Sequence, residues 1–492
     1  MNIARQFKRL LAKKAKRRSF DAGMMGRLLG DWTTQSKSAD AELRGTLVKI
    51  RARSRELANN NDYAKKYLST VAVNVVGPNG VGLQSKAKDS TGKFDKPDND
   101  KIEAAWAKWG KVAETGGRMS WVDFQNSAIT AVAKDGEVLI RLHRGFDNPF
   151  LLGIQILEAD HLDDQLNKTL ENGNRVRMGI ELDKFGRPVN YWVLKQHPGE
   201  TGLSGQKHST DYEIIPASEI IHAYRQDRPG QTRGVPWMVT AMTRLHQLGE
   251  YEEAELVAAR VGACKMGFFT TPEGGSFTGQ SVDGDGAQVV EASPGTFTQL
   301  ERGQEFKEFD PTHPAGNFGP FIKTALRGIS SGLNISYNSL ASDLEGVNFS
   351  SIRSGVLEER ESWKCLQEWF IAHVCQPIYD EWLAMALLSG QLAPIPSSRL
   401  EKFASPRWKP RRWSWVDPLK DVQAKKLAVR NGFTSRKRVI EEVGDDPEEI
   451  YAEILAERKE AEDNGLVFES NQSDDPGQDL NTDSEGGPDG QN

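Results

Sequence analysis

SYNSLASDLEGVNFSSIR, Ser336 to Arg353, is too polar for a core and too rich in apolar residues for a linker, and it separates two helical patterns. Before it, Phe318, Ile322, Ala325, Ile329 and Leu333 recur at helical spacing. After it, Ile352, Val356, Trp363, Leu366, Phe370, Val374, Ile378, Trp382 and Met385 advance by about 3.7 residues each, the period of one long helix. A helix from Ser350 to Leu388 is roughly 58 Å long at about 1.5 Å per residue. Pro377 should kink it, and Asn348, Ser350 and Ser351 stand where an N-cap belongs.

Outward from this stretch toward the N-terminus, Met238, Ala241, Met242, Leu245 and Leu248 form one stripe of an earlier helix, expected over 236–261. Residues 262–313 follow, broken by Gly and Pro in "GGSFTGQSVDGDG" and strand-like in "QVVEASPGTFTQL". The order is therefore helix, small β-rich insertion, helix over 314–334, polar loop, very long helix. Two helices bracketing an insertion make a stalk with a knob at its tip, and the polar loop lies at the other end.

The first half reads as α+β. Leu43, Leu47, Ile50 and Leu57 mark a first helix, Ala64, Tyr67, Leu68, Val71 and Val75 a second, Ile102, Trp106 and Trp109 a third. "SWVDF" opens another, with Ser120 as N-cap, Asp123 completing a capping-box variant, and Gly136 as the stop. "EVLIRLHR", "LGIQILEA", "RVRMGIELD" and "VNYWVLKQ" read as strands, punctuated by turns such as "DKFGRP".

With 492 residues the chain can bury a sizeable core in several regions. No apolar run reaches the ~20 residues of a spanning helix, and no signal peptide is expected at its start. Cys264, Cys365 and Cys375 have no metal-like spacing and read as structural thiols in a reducing compartment. The net charge of -6 conceals an asymmetry: residues 1–27 carry nine Lys/Arg against one acid, while residues 441–492 carry eighteen Asp/Glu against Arg458 and Lys459. A basic arm suits nucleic acid, an acidic scaffold or a membrane surface, or is a solvated tail. The stretch NQSDDPGQDLNTDSEGGPDGQN, residues 471–492, is rich in Gly, Asp and Pro and nearly devoid of apolar residues, and the acidic tail (464–492) is expected to be disordered.

Catalytic signatures are sparse. No G-x-x-x-x-G-K-[ST] phosphate loop is present. "GISSG", Gly328 to Gly332, matches a nucleophile elbow, but it sits in a helical pattern instead of after a strand. "EADHLDD", Glu158 to Asp164, gathers acids around His161 and reads as a strand end or helix cap more readily than as a metal site. "RWKPRRWSWVDP", Arg407 to Pro418, interleaves Arg and Trp as a base-stacking surface would. The alternative packs Trp408, Trp413 and Trp415 beneath the long helix and leaves the basic residues wet, with Trp413 and Trp415 on one face of a strand. "DPLKDVQAKKLAVRNGFTSRKRVIEEVG" outlines a helix-turn-helix, although the acids after Arg436, Lys437 and Arg438 favour a structural hairpin.

Six stretches in order carry a family resemblance: "NNNDYAKKYL…NVVGPNGVGLQ", "GIELDKFGRPVNYWVL", "IPASEIIHAYRQDRPGQTRGVPW", "LGEYEEAELVAARVGAC", "SYNSLASDLEGVNFSSIRSG" and "WVDPLKDVQAKKLAVRNGFTS". Together they resemble the lambda-type portal proteins of tailed bacteriophages. The resemblance implies a homo-oligomeric ring, usually a dodecamer, around a DNA channel at the capsid vertex of the virion. Its regions would be a basic arm (1–38), wing (39–235), stem helices (236–261 and 314–334), clip (262–313), tunnel loop (335–350), long kinked helix returning to the wing (351–415), crown (416–463) and acidic tail (464–492). It implies double-stranded DNA, a terminase large subunit, a major capsid or scaffolding protein and head-completion or tail connector proteins as partners. No cofactor, metal, membrane or catalytic residue is implied.

In that scheme the polar loop projects inward and touches a moving polyanion without holding it. Ser336, Asn338, Ser339, Ser342 and Asn348 would offer exchangeable hydrogen bonds, and Asp343 and Glu345 would repel phosphate. Lys323 and Arg327, four apart on one helix face, are candidates for a thin cationic ring or for inter-subunit salt bridges. Twelve tryptophans and a near-neutral body are expected to leave surface for head-to-tail contacts. Two other readings stay open: a nucleic-acid-processing enzyme that uses the hairpin, and a membrane-surface adaptor using Ile3, Phe7, Leu10 and Leu11.

Overall fold

Helical structure begins at Ser38, whose hydroxyl accepts the N–H of Ala41. The computed structural model describes residues 33–200, 211–263, 267–270, 281–282, 288–289, 305–308, 318–345, 349–413 and 418–466. The basic arm up to residue 32 and the segment from 467 lie outside them.

Helices α1 (Ala39–Leu43), α2 (Leu47–Asn60) and α3 (Asp62–Val75) come first, α3 capped by the Asn61 side chain on Ala64 N. Strand β1 (Gly82–Gln84) leads to α4 (Lys96–Trp109) and α5 (Trp121–Asp135). The expected capping box is present: Ser120 and Asp123 cap each other's backbone N–H, and Gly136 ends α5 at φ 93.

Strands β2 (Glu137–Arg144), β3 (Leu152–Leu157), β4 (Lys168–Thr169), β5 (Arg175–Arg177), β6 (Ile180–Leu182), β7 (Pro188–Leu194), β8 (Tyr212–Pro216) and β9 (Ile220–Tyr224) follow. They form two sheets, ordered β3-β2-β9 and β4-β5-β6-β7-β8. "RVRMGIELD", expected as one strand, is two. Met178 and Gly179 take φ 45 and 84, and that pair of left-handed residues folds β5 back on β6, Arg177 opposite Ile180.

The stripe expected to be helical from Pro236 becomes α6 (Met242–Ala263) only after two tight turns, Val239 N to Pro236 O and Ala241 N to Met238 O. Short strands β10 (Gly267–Thr270), β11 (Ser281–Val282), β12 (Gln288–Val289) and β13 (Glu305–Glu308) pair as β10-β13 and β11-β12. Helix α7 (Phe318–Leu333) returns, followed by the short α8 (Tyr337–Ala341) and then α9 (Phe349–Phe370). Because α9 starts at Phe349, Ser350 and Ser351 lie inside it and are not its caps. Five π-helical residues, Ile371–Cys375, join α9 to α10 (Gln376–Leu388) just before Pro377, where the missing N–H leaves the helical ladder short of a donor.

Helix α11 (Leu400–Phe403) and strand β14 (Arg407–Lys409) bring the chain back to pair with β1. Helices α12 (Pro418–Arg430), α13 (Arg436–Val443) and α14 (Pro447–Asn464) end the described chain.

The main core explains why distant segments meet. The Trp106 ring centroid lies 4.8 Å from Trp109, 5.5 Å from Trp121, 5.0 Å from Trp382 and 6.2 Å from Trp408, joining α4, α5, α10 and β14. Trp106, Trp109, Trp121, Trp363 and Trp382 are buried. These five tryptophans belong to the core. A smaller core of Leu139, Leu162, Ile180, Tyr191, Val193, Ile215 and Ile220 lies between the two sheets.

Between those cores sits a buried charge. Glu137 accepts from Arg233 Nε and Nη2, Arg51 Nη2 and the Gly234 N–H, and pairs with His222 Nε2 at 2.9 Å. Burial pushes its carboxyl up, but the Arg233 charge, the His222 hydrogen bond and the Arg51 charge hold it well below the usual carboxylate range. The remaining Arg233 donors reach the carbonyls of Ala159, Leu162 and Met178, so this guanidinium is fully satisfied. The segment leading from β9 into α6 is thereby anchored to both sheets and to α2.

Candidate nucleic-acid interface

The amphipathic face of α7 buries Leu326, Ile329, Ser330 and Leu333. The helix stops where Asn334 turns left-handed at φ 55, after which Ile335 is buried and its N–H reaches Ser330 O. Ser336 then caps α8, its hydroxyl accepting the Ser339 N–H at 3.2 Å. Leu340 is buried, and Ser342 at φ 54 ends the turn. What reads as an open loop in sequence thus contains a capped helical turn pinned by two apolar residues.

Its polar side chains turn inward on the chain. Ser339 Oγ donates to Glu359 Oε2 at 2.8 Å, and Glu359 Oε1 accepts the Trp363 indole N–H, tying the turn to α9. The Tyr337 hydroxyl donates to Asp343 Oδ2 at 2.7 Å, and the Glu345 N–H donates to Asp343 Oδ1 at 2.9 Å. Lys323 Nζ stands 3.2 Å from Asp343 and 2.8 Å from Glu345. The Tyr337 hydrogen bond, the Glu345 N–H and Lys323 hold the Asp343 carboxyl down at about 2, while Glu345 and Asp343 raise the Lys323 ammonium above its ordinary value. The Arg327 guanidinium lies 5.6 Å from the Tyr337 ring centroid.

The structure therefore brings Lys323, Asp343 and Glu345 together, with Arg327 beside them, and ties Ser336 and Ser339 to Glu359. Asp343 and Glu345 are paired within the chain, not free acids, and the Lys323 bridge is internal. Asn338 is half-buried and accepts the Ser342 N–H on its carbonyl. Asn348 lies outside the described residues. Sequence reasoning missed Tyr337 and Glu359. Ser336 and Ser339 at N-cap spacing carried a local signal for the turn, whereas Glu359 arrives from another helix and had none.

The other candidates resolve as structure. Trp408 Nε1 donates to Gln376 on α10 and Trp413 Nε1 to Asn74, as the packing alternative required, but residues 411–413 form no strand and Trp415 lies outside the described residues. The nearby cations are not simply wet: Arg407 pairs with Glu441 at 2.7 Å, and Arg411 donates to Asn74 and the Val73 carbonyl. The α12–α13 hairpin is closed by a Lys425–Glu442 pair. Ser330 is buried in α7 with its hydroxyl donated to Arg327 O, not raised on a strained turn. Glu158, Asp160 and His197 bring one ligand atom each within 4.8 Å of one another, but Arg51 at 2.5 Å and Arg55 already hold Asp160. Among the described residues no helix is long and apolar enough to cross a membrane.

Residues 25–367 match the family model described as phage portal protein, lambda family. A probable portal protein of Halomonas phage phiHAP-1 is 37% identical over 448 residues, covering 89% of this chain and 85% of that protein. Portal protein B of Escherichia phage lambda is 21% identical over 498 residues, covering 90% and 89%. A chain from the neck of an empty GTA particle superposes with a TM-score of 0.42 at 14% identity, over 83% of this chain and 98% of that one.

Proposed function

The chain belongs to the lambda family of phage portal proteins, and on that premise we propose that its copies close into a ring at one capsid vertex and form the conduit through which a terminase motor drives double-stranded DNA. In this reading residues 39–235 are the wing, α6 and α7 the stem, 262–313 the clip on which the terminase docks, 335–350 the tunnel loop and α12 to α14 the crown. Capsid or scaffolding protein and connector proteins meet the same ring, DNA later leaves through it, and the chain contributes no chemistry of its own.

The observation that carries the reading is the state of Lys323. A free lysine facing DNA would neutralise phosphate, release counterions and bind, and binding in every subunit would stall translocation. Lys323 is instead occupied by Asp343 and Glu345, so the loop offers DNA a nearly neutral, hydrogen-bonding surface of low friction. The loop is also stiffened by Ser336, Ser339 and Glu359, so it keeps its place as DNA passes.

The test is an in vitro packaging assay on the double variant Asp343→Lys, Glu345→Lys. Its rings should assemble, since neither residue belongs to the core, but three lysines per subunit would then face the channel. Packaging should be slow or incomplete at low salt and recover as salt is added. Normal low-salt packaging, or failure of the rings to form, would show that the loop does another job.

A further inference from the structure

A second cationic feature lies far from the loop in sequence. The ammonium groups of Lys86, Lys88 and Lys437 each stand 5.9 Å from the centroid of one ring, Phe94, which is 38% exposed. Two elements build this collar: the turn that pairs Lys88 with Phe94, and the first turn of α13. The ring face attracts a cation, but three ammoniums around one ring also repel one another. The helix adds to the imbalance. Helix α13 opens with Arg436, Lys437 and Arg438 and has no acid in its first turn, so basic side chains sit at the positive end of the helix dipole. One acid is shared with the collar: Glu441 pairs with Arg407 at 2.7 Å while its charge also acts on Lys86 and Lys437, and Asp89 is held by Thr91 and the Lys93 N–H, so the basic groups still outnumber the acids there. The site is an unbalanced positive locus with an exposed aromatic at its centre.

The chain carries a matching anion. Residues 467–492 hold seven Asp/Glu and no Lys or Arg, and they follow directly on α14, which comes just after α13. Helix α14 carries the chain about 27 Å, and twenty-six extended residues span up to roughly 86 Å, so the segment can return to the collar. We propose that the three-lysine collar around Phe94 is the docking site of the chain's own acidic C-terminal segment, residues 467–492. Tethering favours this occupant, because a linked ligand acts at an effective concentration that free nucleic acid must exceed. The proposal does not depend on ring formation.

The test is carbodiimide coupling on the full chain, which joins carboxylates to amines at zero length, with the links mapped by peptide mass spectrometry. At low salt, links from Asp474, Asp475, Asp479 and Asp483 should concentrate on Lys86, Lys88 and Lys437. They should be lost at high salt, in the tail variant with those four residues changed to Asn, and at the substituted positions in Lys88→Gln, Lys437→Gln. Lys88 and Lys437 are exposed, and unchanged circular dichroism serves as the folding control for every variant. Tail links scattered over other exposed lysines would overturn the proposal. So would absent tail links combined with protection of the three lysines from acetylation by duplex DNA, which would assign the collar to nucleic acid. Ring images of the same samples report separately on the portal reading.

Discussion

Arg233 and Glu137 form an ion pair from which water is excluded: Nη2 lies 2.6 Å from Oε1, and both side chains have 0% exposure. The pair fastens the segment entering α6 to the start of β2, with Arg51 and His222 on the same carboxylate. Glu137→Ala strands two buried guanidiniums, and breaking a buried pair from one side costs about 3–5 kcal/mol. Urea denaturation should show a loss of that size. The carboxyl is depressed in the fold, so its contribution is complete above the unfolded value near pH ~4.3 and is lost as pH falls toward the lower folded value. Glu137→Gln should flatten that acid limb.

A tight backbone contact predicts a graded effect. Gly136 has φ 93, and a Cβ there would lie 2.4 Å from the Val235 carbonyl carbon, whereas Gly92 has φ 83 and nothing within 4 Å. Gly92→Ala should cost the roughly 1–2 kcal/mol of a left-handed alanine. Gly136→Ala adds an overlap that only backbone movement relieves, so its unfolding midpoint should fall clearly further. Equal midpoints for the two variants would contradict the close approach.

The loop should be releasable without unfolding the protein. Lys323→Met removes the cation that holds Asp343 and Glu345, and Tyr337→Phe removes the hydroxyl on Asp343. Amide exchange from Ser342 to Glu345 should quicken in both variants while the global midpoint barely moves. In the wild type the same contacts should hold above the ordinary carboxylate value near ~3.9 and weaken as pH falls toward about 2, since the Asp343 carboxyl is depressed in the fold. Exchange that ignores all three perturbations would mean the pairs do not hold the loop.

Much of the fold is legible in the sequence because its signals are local. Ser120, Asp123 and Gly136 announce both ends of α5, and the alternation of "EVLIRLHR" reads directly as β2. The long helical register from 349 to 388 is equally plain in its spacing. What is not legible depends on partners far along the chain. Nothing near Glu137 foretells Arg233, 96 positions away. Nothing near Trp408 foretells its pairing strand β1 or its place against Trp106. The candidate site divides in the same way: Ser336, Lys323, Asp343 and Glu345 are visible as residue types, but that they satisfy one another, with Tyr337 and Glu359, is tertiary information.

The most direct test of the conduit is negative-stain electron microscopy of the purified full-length chain over a wide concentration range. The account predicts top views of closed rings with cyclic symmetry and a central hole wide enough for duplex DNA. Small particles without a hole at every concentration would contradict it.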